Sequence, residues 1–306
     1  MWVYFSNPCF RMNNFNNEGG KVLSHKSKNM VDQVINELKS MAAFGESRHK
    51  GKMEKITQDK IYSFNTFEAY KKHCCDFAKY CQKEYKCKNL SSSRQFVDDY
   101  LKMKIDKGYS PYTIKLISCS LGKLFHEPTT NFIETPARHR DMITRSRQPR
   151  AIDRFFSITK NKELINFCEH TGLRRRELEN LKGDCLTKIE NNYYVKVENG
   201  KGGKFRLAPI LENNKAVIEK IQKTPNNSRV WGKVHGACDV HGYRSNYANC
   251  HYRQYARPLD TIPKEERYHC RRDLRGETLD KAAMAIVSKA LGHNRIQIFA
   301  YSYFRK

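Results

Sequence analysis

Two sets of side chains have types and spacings that could do chemistry. The first is sulfur and imidazole: His73, Cys74, Cys75, Cys81 and Cys87 in one stretch, and His235, Cys238, His241, Cys250 and His251 in another. Zinc sites take paired ligands at C-x2–4-C and H-x3–5-H spacing, and neither stretch repeats that pattern. In the earlier stretch Phe77, Ala78 and Tyr80 interleave with the cysteines, as on the buried side of a helix where Cys packs as a small hydrophobe. No metal is expected. The second set is guanidinium, imidazole and phenol: Arg174 to Arg176, His241, Arg244, His269, Arg272, His293, Tyr301 and Tyr303. Guanidiniums offer forked donors to anionic oxygens, and imidazoles exchange protons near neutral pH. Neither a carboxylate cluster nor a G-x-x-x-x-G-K-[ST] loop accompanies them, so no metal or nucleotide cofactor is expected.

Charge says what kind of anion. The 306 residues hold 57 Lys+Arg against 32 Asp+Glu, a net charge of +25, which fits a polyanion such as nucleic acid better than a neutral metabolite. Hydrophobic residues make up 39%, close to the globular share, which excludes a wholly disordered chain. No apolar run approaches the ~18 residues of a membrane helix, and Met1–Lys21 lacks the apolar core of a secretory signal. The 11 cysteines, an odd number, suit free thiols in a reducing compartment. A soluble, cytoplasmic protein with no membrane partner is expected.

The segment Thr171-Gly172-Leu173-Arg174-Arg175-Arg176-Glu177-Leu178 resembles the T-G-L-R-x-x-E-L box of the tyrosine recombinase (phage integrase) family. Downstream, Gly200-Lys201-Gly202-Gly203-Lys204-Phe205-Arg206-Leu207-Ala208-Pro209 is similar to that family's hairpin turn G-K-G-x-K-x-R-x-x-P, and Leu291-Gly292-His293 to its L-G-H box. Two segments compete for the family's H-x-x-R: His241-Gly242-Tyr243-Arg244 and His269-Cys270-Arg271-Arg272. Distance to His293 favours the second. The first is preferred because Tyr243, Tyr247, Ala248, Tyr252 and Tyr255 continue it as one helical face, and positions i and i+3 converge only on a helix. Pro258–Leu279 then reads as an insertion. The nucleophile of the resemblance is Tyr303 or, as runner-up, Tyr301; Tyr303 is preferred because Leu291-Gly292-His293-Asn294-Arg295 followed by Tyr303-Phe304 resembles a branch with that spacing.

The resemblance implies a site-specific recombinase or integrase that cuts and rejoins DNA through a 3′-phosphotyrosine, for integration or excision of a mobile element. In it Arg174 and Arg244 clamp the phosphate, because charge grows on the non-bridging oxygens during attack. His241 and His293 assist the phenol, which needs help because phenols titrate near ~10. Lys201 protonates the leaving 5′ oxygen, and Glu177 buttresses the arginines. Double-stranded DNA with paired core sites, a homotetramer on those sites, an accessory bending or directionality factor, and the bacterial cytoplasm with its nucleoid complete the implied setting. A type IB topoisomerase-like relaxase and a catalytically degenerate DNA-binding protein are the alternatives. With only three residues after Tyr303, subunit docking is left open.

The elements that would position these groups give a mainly α fold with a small antiparallel β-sheet (α+β), which the resemblance refines to a SAM-like core-binding domain plus a recombinase catalytic domain. Residues 1–56 read as a basic N-terminal segment, poorly ordered over 1–28, with a short helix over 31–44 and a basic loop from Arg48 to Lys55. Residues 57–135 read as the helical DNA-binding domain: Phe67, Tyr70, Cys74, Phe77 and Cys81 keep a helical period, as do Ile114, Ile117, Leu121 and Leu124 behind Ser110-Pro111. Lys102, Lys104, Lys107, Lys115 and Lys123 interleave there and are assigned to DNA phosphates. Residues 136–153, with two prolines and six basic side chains, read as a linker, and 154–306 as the catalytic domain, with strands at 193–197 and 205–210 and mostly helix from Ala216 onward.

Overall fold

The computed structural model describes residues 29–139, 156–200 and 203–305. The expected disorder of 1–28, most of the linker, and the hairpin tip lie outside them. The chain divides into two compact units, Met1–Arg138 and His139–Lys306.

The first unit is helical. Helices α1 (Met30–Ser40), α3 (Phe64–Tyr85), α5 (Val97–Asp106) and α6 (Pro111–Leu124) each present an apolar stripe, and Leu38, Phe77, Tyr100 and Ile117 meet in a single core. Ser63 and Ser110 cap α3 and α6 by accepting from the Thr66 and Thr113 backbone amides at 3.2 Å, and Pro111 fills a first-turn position where no amide is missed. Three expectations need correction. Helix α1 stops at Ser40, not 44, because Ala42 leaves the helix to bridge Ile61. The segment read as a basic loop winds into α2 (Arg48–Met53), capped by Ser47. Helix α1 also shares the core of the helices after residue 57, so its apolar face is not that of a separate segment. A short α4 (Leu90–Ser93) links α3 to α5.

The second unit carries the sheet. After α7 (Lys162–Thr171) and α8 (Arg175–Asn180), strands β1 (Leu186–Ile189), β2 (Asn192–Val197) and β3 (Arg206–Pro209) form an antiparallel meander in that order, with Leu186 opposite Val195 and Val197 opposite Arg206. The alternation of β2 and β3 is legible in the sequence; β1 escapes it because a four-residue strand with half-exposed side chains has too little pattern. Helix α9 (Lys215–Gln222) follows, then α10 (Val240–Tyr255), α11 (Lys281–Ala290) and α12 (Gln297–Ser302). Residues between α10 and α11, expected as an insertion, include a small hairpin, β4 (Arg267–His269) with β5 (Thr278–Asp280). Asp280 secures its base: it caps α11 through the Ala282 amide at 2.8 Å and takes two bonds from the Arg257 side chain at 2.8 Å. Arg257 holds its pKa up, and Asp280 its own down, through that pairing.

Candidate active site

Three backbone turns in the second unit aim their side chains and carbonyls at one place. The first follows α7, where Gly172 adopts φ +58° and its amide returns to the Cys168 carbonyl at 3.0 Å. A Cβ at Gly172 would run into the Tyr247 ring, so glycine is required twice over. Two residues on, Arg174 opens α8, and Glu177 in the first turn accepts from the Arg174 amide and from its guanidinium, both at 2.8 Å. The second turn opens α10, where Asp239 accepts from the Gly242 amide at 3.0 Å and sets His241 and Arg244 one turn apart. The third follows α11, where Gly292 at φ +72° turns the chain so that His293 lies beside the end of α12.

Arg244 joins them. It is 1% exposed and donates from Nε to the Tyr303 hydroxyl at 3.1 Å, from one terminal nitrogen to the Gly172 carbonyl, and from the other to the Leu291 carbonyl at 2.6 Å. Arg174 donates to the same Leu291 carbonyl at 3.2 Å, so both guanidiniums reach one acceptor. His293 Nε2 lies 3.2 Å from the Tyr303 hydroxyl, and the His241 ring centroid 5.6 Å from that of Tyr303. Burial lowers the Arg244 pKa, the Tyr303 hydroxyl opposes this, and the Arg174 charge adds to it. A phenol oxygen held between a guanidinium and an imidazole can give up its proton while remaining aimed.

The two tyrosines separate by environment. Tyr303 is 4% exposed, and its backbone carbonyl accepts from Asn249 Nδ2 at 2.8 Å; Tyr301 is 45% exposed, and its hydroxyl accepts from the Tyr268 hydroxyl at 3.3 Å. The competing H-x-x-R pair does not share an α-helix. His269 sits on β4 against the Thr278 hydroxyl at 3.0 Å, and Arg272 follows at φ +56° in a tight turn. Lys201 lies outside the described residues, although its flanks close the turn: Gly200 donates to the Lys204 carbonyl at 3.0 Å.

Two partners in the site carry no assignment in the sequence reading. Arg206 on β3 is buried and pairs with both Glu177 oxygens at 2.9 and 2.7 Å while its Nε donates to the Ala290 carbonyl at 3.0 Å. Burial would push the Glu177 carboxyl up; the Arg206 bonds and charge, then Arg174, outweigh it and hold it down at about 2. An arginine at an inward position of an alternating strand is the signal that marks it. Asn249, one turn and a residue beyond Arg244, ties α10 to the chain end through the Tyr303 carbonyl and the Arg305 amide.

The lysines assigned to phosphate divide. Lys102 and Lys107 are exposed, and Lys104 lies over the Tyr100 and Tyr109 rings at 5.1 and 4.7 Å. Lys115 donates to the Thr129 hydroxyl at 3.0 Å. Lys123 contradicts the expectation: its ammonium donates to the Thr57 carbonyl at 2.8 Å and to the Gln58 carbonyl, and burial lowers its pKa, so it closes the 57–60 turn instead of facing solvent. Among the described residues no group of three His, Cys, Asp or Glu side chains is placed to hold a metal, and no helix is long and apolar enough to cross a membrane.

No family model and no curated protein matches this chain. Among solved structures, it is similar to XerH site-specific recombinase bound to difH substrate in a pre-cleavage complex, at 15% identity and a TM-score of 0.47 over 90% of this chain and 92% of the other. The post-cleavage XerH complex with palindromic difH gives 16% and 0.48 over 93% and 88%. The Tn1549 transposon integrase with circular intermediate DNA gives 13% and 0.45 over 91% and 96%. At that level of overlap the functional reading rests on the chain's own residues, above all on the phenol oxygen that Arg244 and His293 share.

Proposed function

We propose that this chain is a tyrosine-type site-specific DNA recombinase or integrase that breaks and rejoins strands by transesterification. The observation that carries the reading is the Tyr303 hydroxyl within hydrogen-bond reach of Arg244 Nε and His293 Nε2, with Arg174 sharing an acceptor with Arg244. The Tyr303 oxygen forms a bond to the scissile phosphorus, its proton passes to His293, and the P–O5′ bond breaks. Arg174 and Arg244 neutralise the charge that grows on the non-bridging oxygens. His241 is the second imidazole on the phosphate, and Lys201 supplies the proton to the departing 5′ oxygen. Glu177 and Arg206 position Arg174. Because the 3′-phosphotyrosine keeps the ester energy, a 5′-hydroxyl can reverse the step without metal or nucleotide.

The same reading takes paired double-stranded core sites as substrate, a homotetramer as the assembly on them, an accessory bending or directionality factor as partner, and the nucleoid of a bacterial cytoplasm as the place. The helical unit supplies DNA grip, with Lys102, Lys104 and Lys107 as its contacts, and residues from 154 onward the chemistry. A nicked suicide duplex carrying a candidate core site tests it: the wild-type protein is expected to form a covalent adduct that survives denaturing gel electrophoresis. No adduct from folded protein, on any core half-site found beside its gene, would overturn the enzymatic reading. Relaxation of supercoiled plasmid lacking such sites would instead indicate a relaxase.

A further inference from the structure

A second hollow lies beside the site and plays no part in the mechanism above. It has a volume of about 530 Å³ and lies between the β4–β5 hairpin and α12, lined among others by Arg267, His269, Arg271, Lys281, Tyr268 and Tyr301. That volume is within the ~300–1,000 Å³ range of sites that enclose a small molecule. No carboxylate lines it. Arg267 and Lys281 each donate to a single neutral carbonyl, that of Ile262 at 2.8 Å and of Glu265 at 2.5 Å, whereas Lys123 is held by three, so each has further N–H donors to offer. Two acids of the same segment, Glu266 and Asp280, are taken by Arg257, at 2.6 and 2.8 Å. The wall is completed by two tyrosines whose hydroxyls meet at 3.3 Å, and Tyr301 stands two residues from Tyr303.

Cations gathered without acids suit a phosphate, and an exposed phenol ring suits the face of a base. A duplex, whose major groove alone is ~12 Å wide, would lie across such a hollow and leave it unfilled, whereas one unstacked nucleotide can enter it. We propose that this pocket binds a nucleotide of a single-stranded DNA segment, its phosphate among Arg267, Arg271 and Lys281 and its base against Tyr301. The assignment of that strand as the one freed when Tyr303 cuts rests on the recombinase reading; binding of the single strand does not.

Fluorescence anisotropy with a labelled oligothymidylate octamer, an octamer of abasic units and an eight-base-pair duplex tests the pocket. The wild-type protein is expected to bind the thymidylate octamer more tightly than the abasic one. Arg271→Glu, at an exposed position, should weaken the thymidylate octamer about tenfold and the duplex less than twofold; Tyr301→Ala should weaken it by a similar factor, and Tyr301→Phe should restore it, since stacking is worth severalfold per base. Equal loss for single strand and duplex would reduce the pocket to part of the general basic field and overturn the proposal. So would equal wild-type binding of the abasic octamer, which needs no base, or competition by free dTMP at the octamer's own affinity, which needs no strand. Thermal midpoints of the variants separate misfolding from lost binding. The covalent adduct on the nicked duplex is scored independently, so its absence bears on the recombinase and unaltered octamer binding on the pocket.

Discussion

Tyr303 and Tyr301 differ by two positions and by almost everything that decides whether a phenol reacts. Tyr303 is buried against Arg244 and His293, and Tyr301 faces solvent beside Tyr268. Tyr303→Phe is therefore expected to abolish the covalent adduct on a nicked duplex, while Tyr301→Phe retains it; the reverse pattern on the same gel would move the nucleophile. Glu177 gives a second prediction through pH. Its folded pKa of about 2 lies below the ordinary carboxylate value, so its ionised form stabilises the fold above pH ~4.5, and that contribution is lost as pH falls toward 2. The full contribution is on the order of 3 kcal/mol. Glu177→Gln should lower the urea midpoint at neutral pH, with a gap from wild type that narrows on acidification below pH 4.5. A gap constant with pH would mean that the Arg174 and Arg206 charges do not act through this carboxylate.

Short turns, more than the helices they join, hold the site together. Gly172 offers its carbonyl to Arg244 while its missing side chain leaves room for Tyr247. Gly172→Ala combines an unfavourable positive φ with a steric clash and is expected to cost about 1–3 kcal/mol in chemical unfolding, with loss of adduct formation, since Arg244 loses one of its three anchors. An alanine variant as stable as wild type would show that Tyr247 can yield. In the helical unit, His126 bridges Asp59 at 3.0 Å and Glu37 at 2.8 Å, which raise its pKa, Glu37 contributing more. This half-exposed contact favours the fold below the imidazole's ordinary titration range and fades as pH rises through the raised value.

For the whole molecule, a net charge of +25 makes the affinity for DNA expected under the proposed function depend on salt. Each lysine that displaces a counterion adds about 0.9 to the slope of log affinity against log salt. Replacing exposed Lys102 and Lys107 together by alanine should lower the slope by about 2 without changing thermal stability. Lys123→Ala should do the opposite: its ammonium is engaged on backbone carbonyls, so stability falls and the slope stays within experimental error. A slope change for Lys123→Ala equal to that of the exposed pair would return it to the phosphate-facing set.

The sequence by itself determined the second unit's local grammar: the glycine after α7, the arginine that opens α8, the alternating strands on either side of a Gly-Lys turn, and a helix carrying His241 and Arg244. Each is a matter of neighbouring residues and their periodicity, which a linear reading can follow. It also led to a mainly α fold with a small antiparallel sheet. Strands of three or four residues without alternating burial, such as β1, β4 and β5, carry too little pattern to be read, and the division of the lysines could not be read because Lys123 finds its carbonyls 63 or more positions away. Tertiary structure alone decided which side chains share an atom: Arg244 reaches Gly172 and Leu291, residues 72 and 47 positions distant, and Arg206 reaches Glu177 across 29. Hydrogen bonds act over about 3 Å of space and are indifferent to sequence distance, so their partners become visible only once the turns have closed.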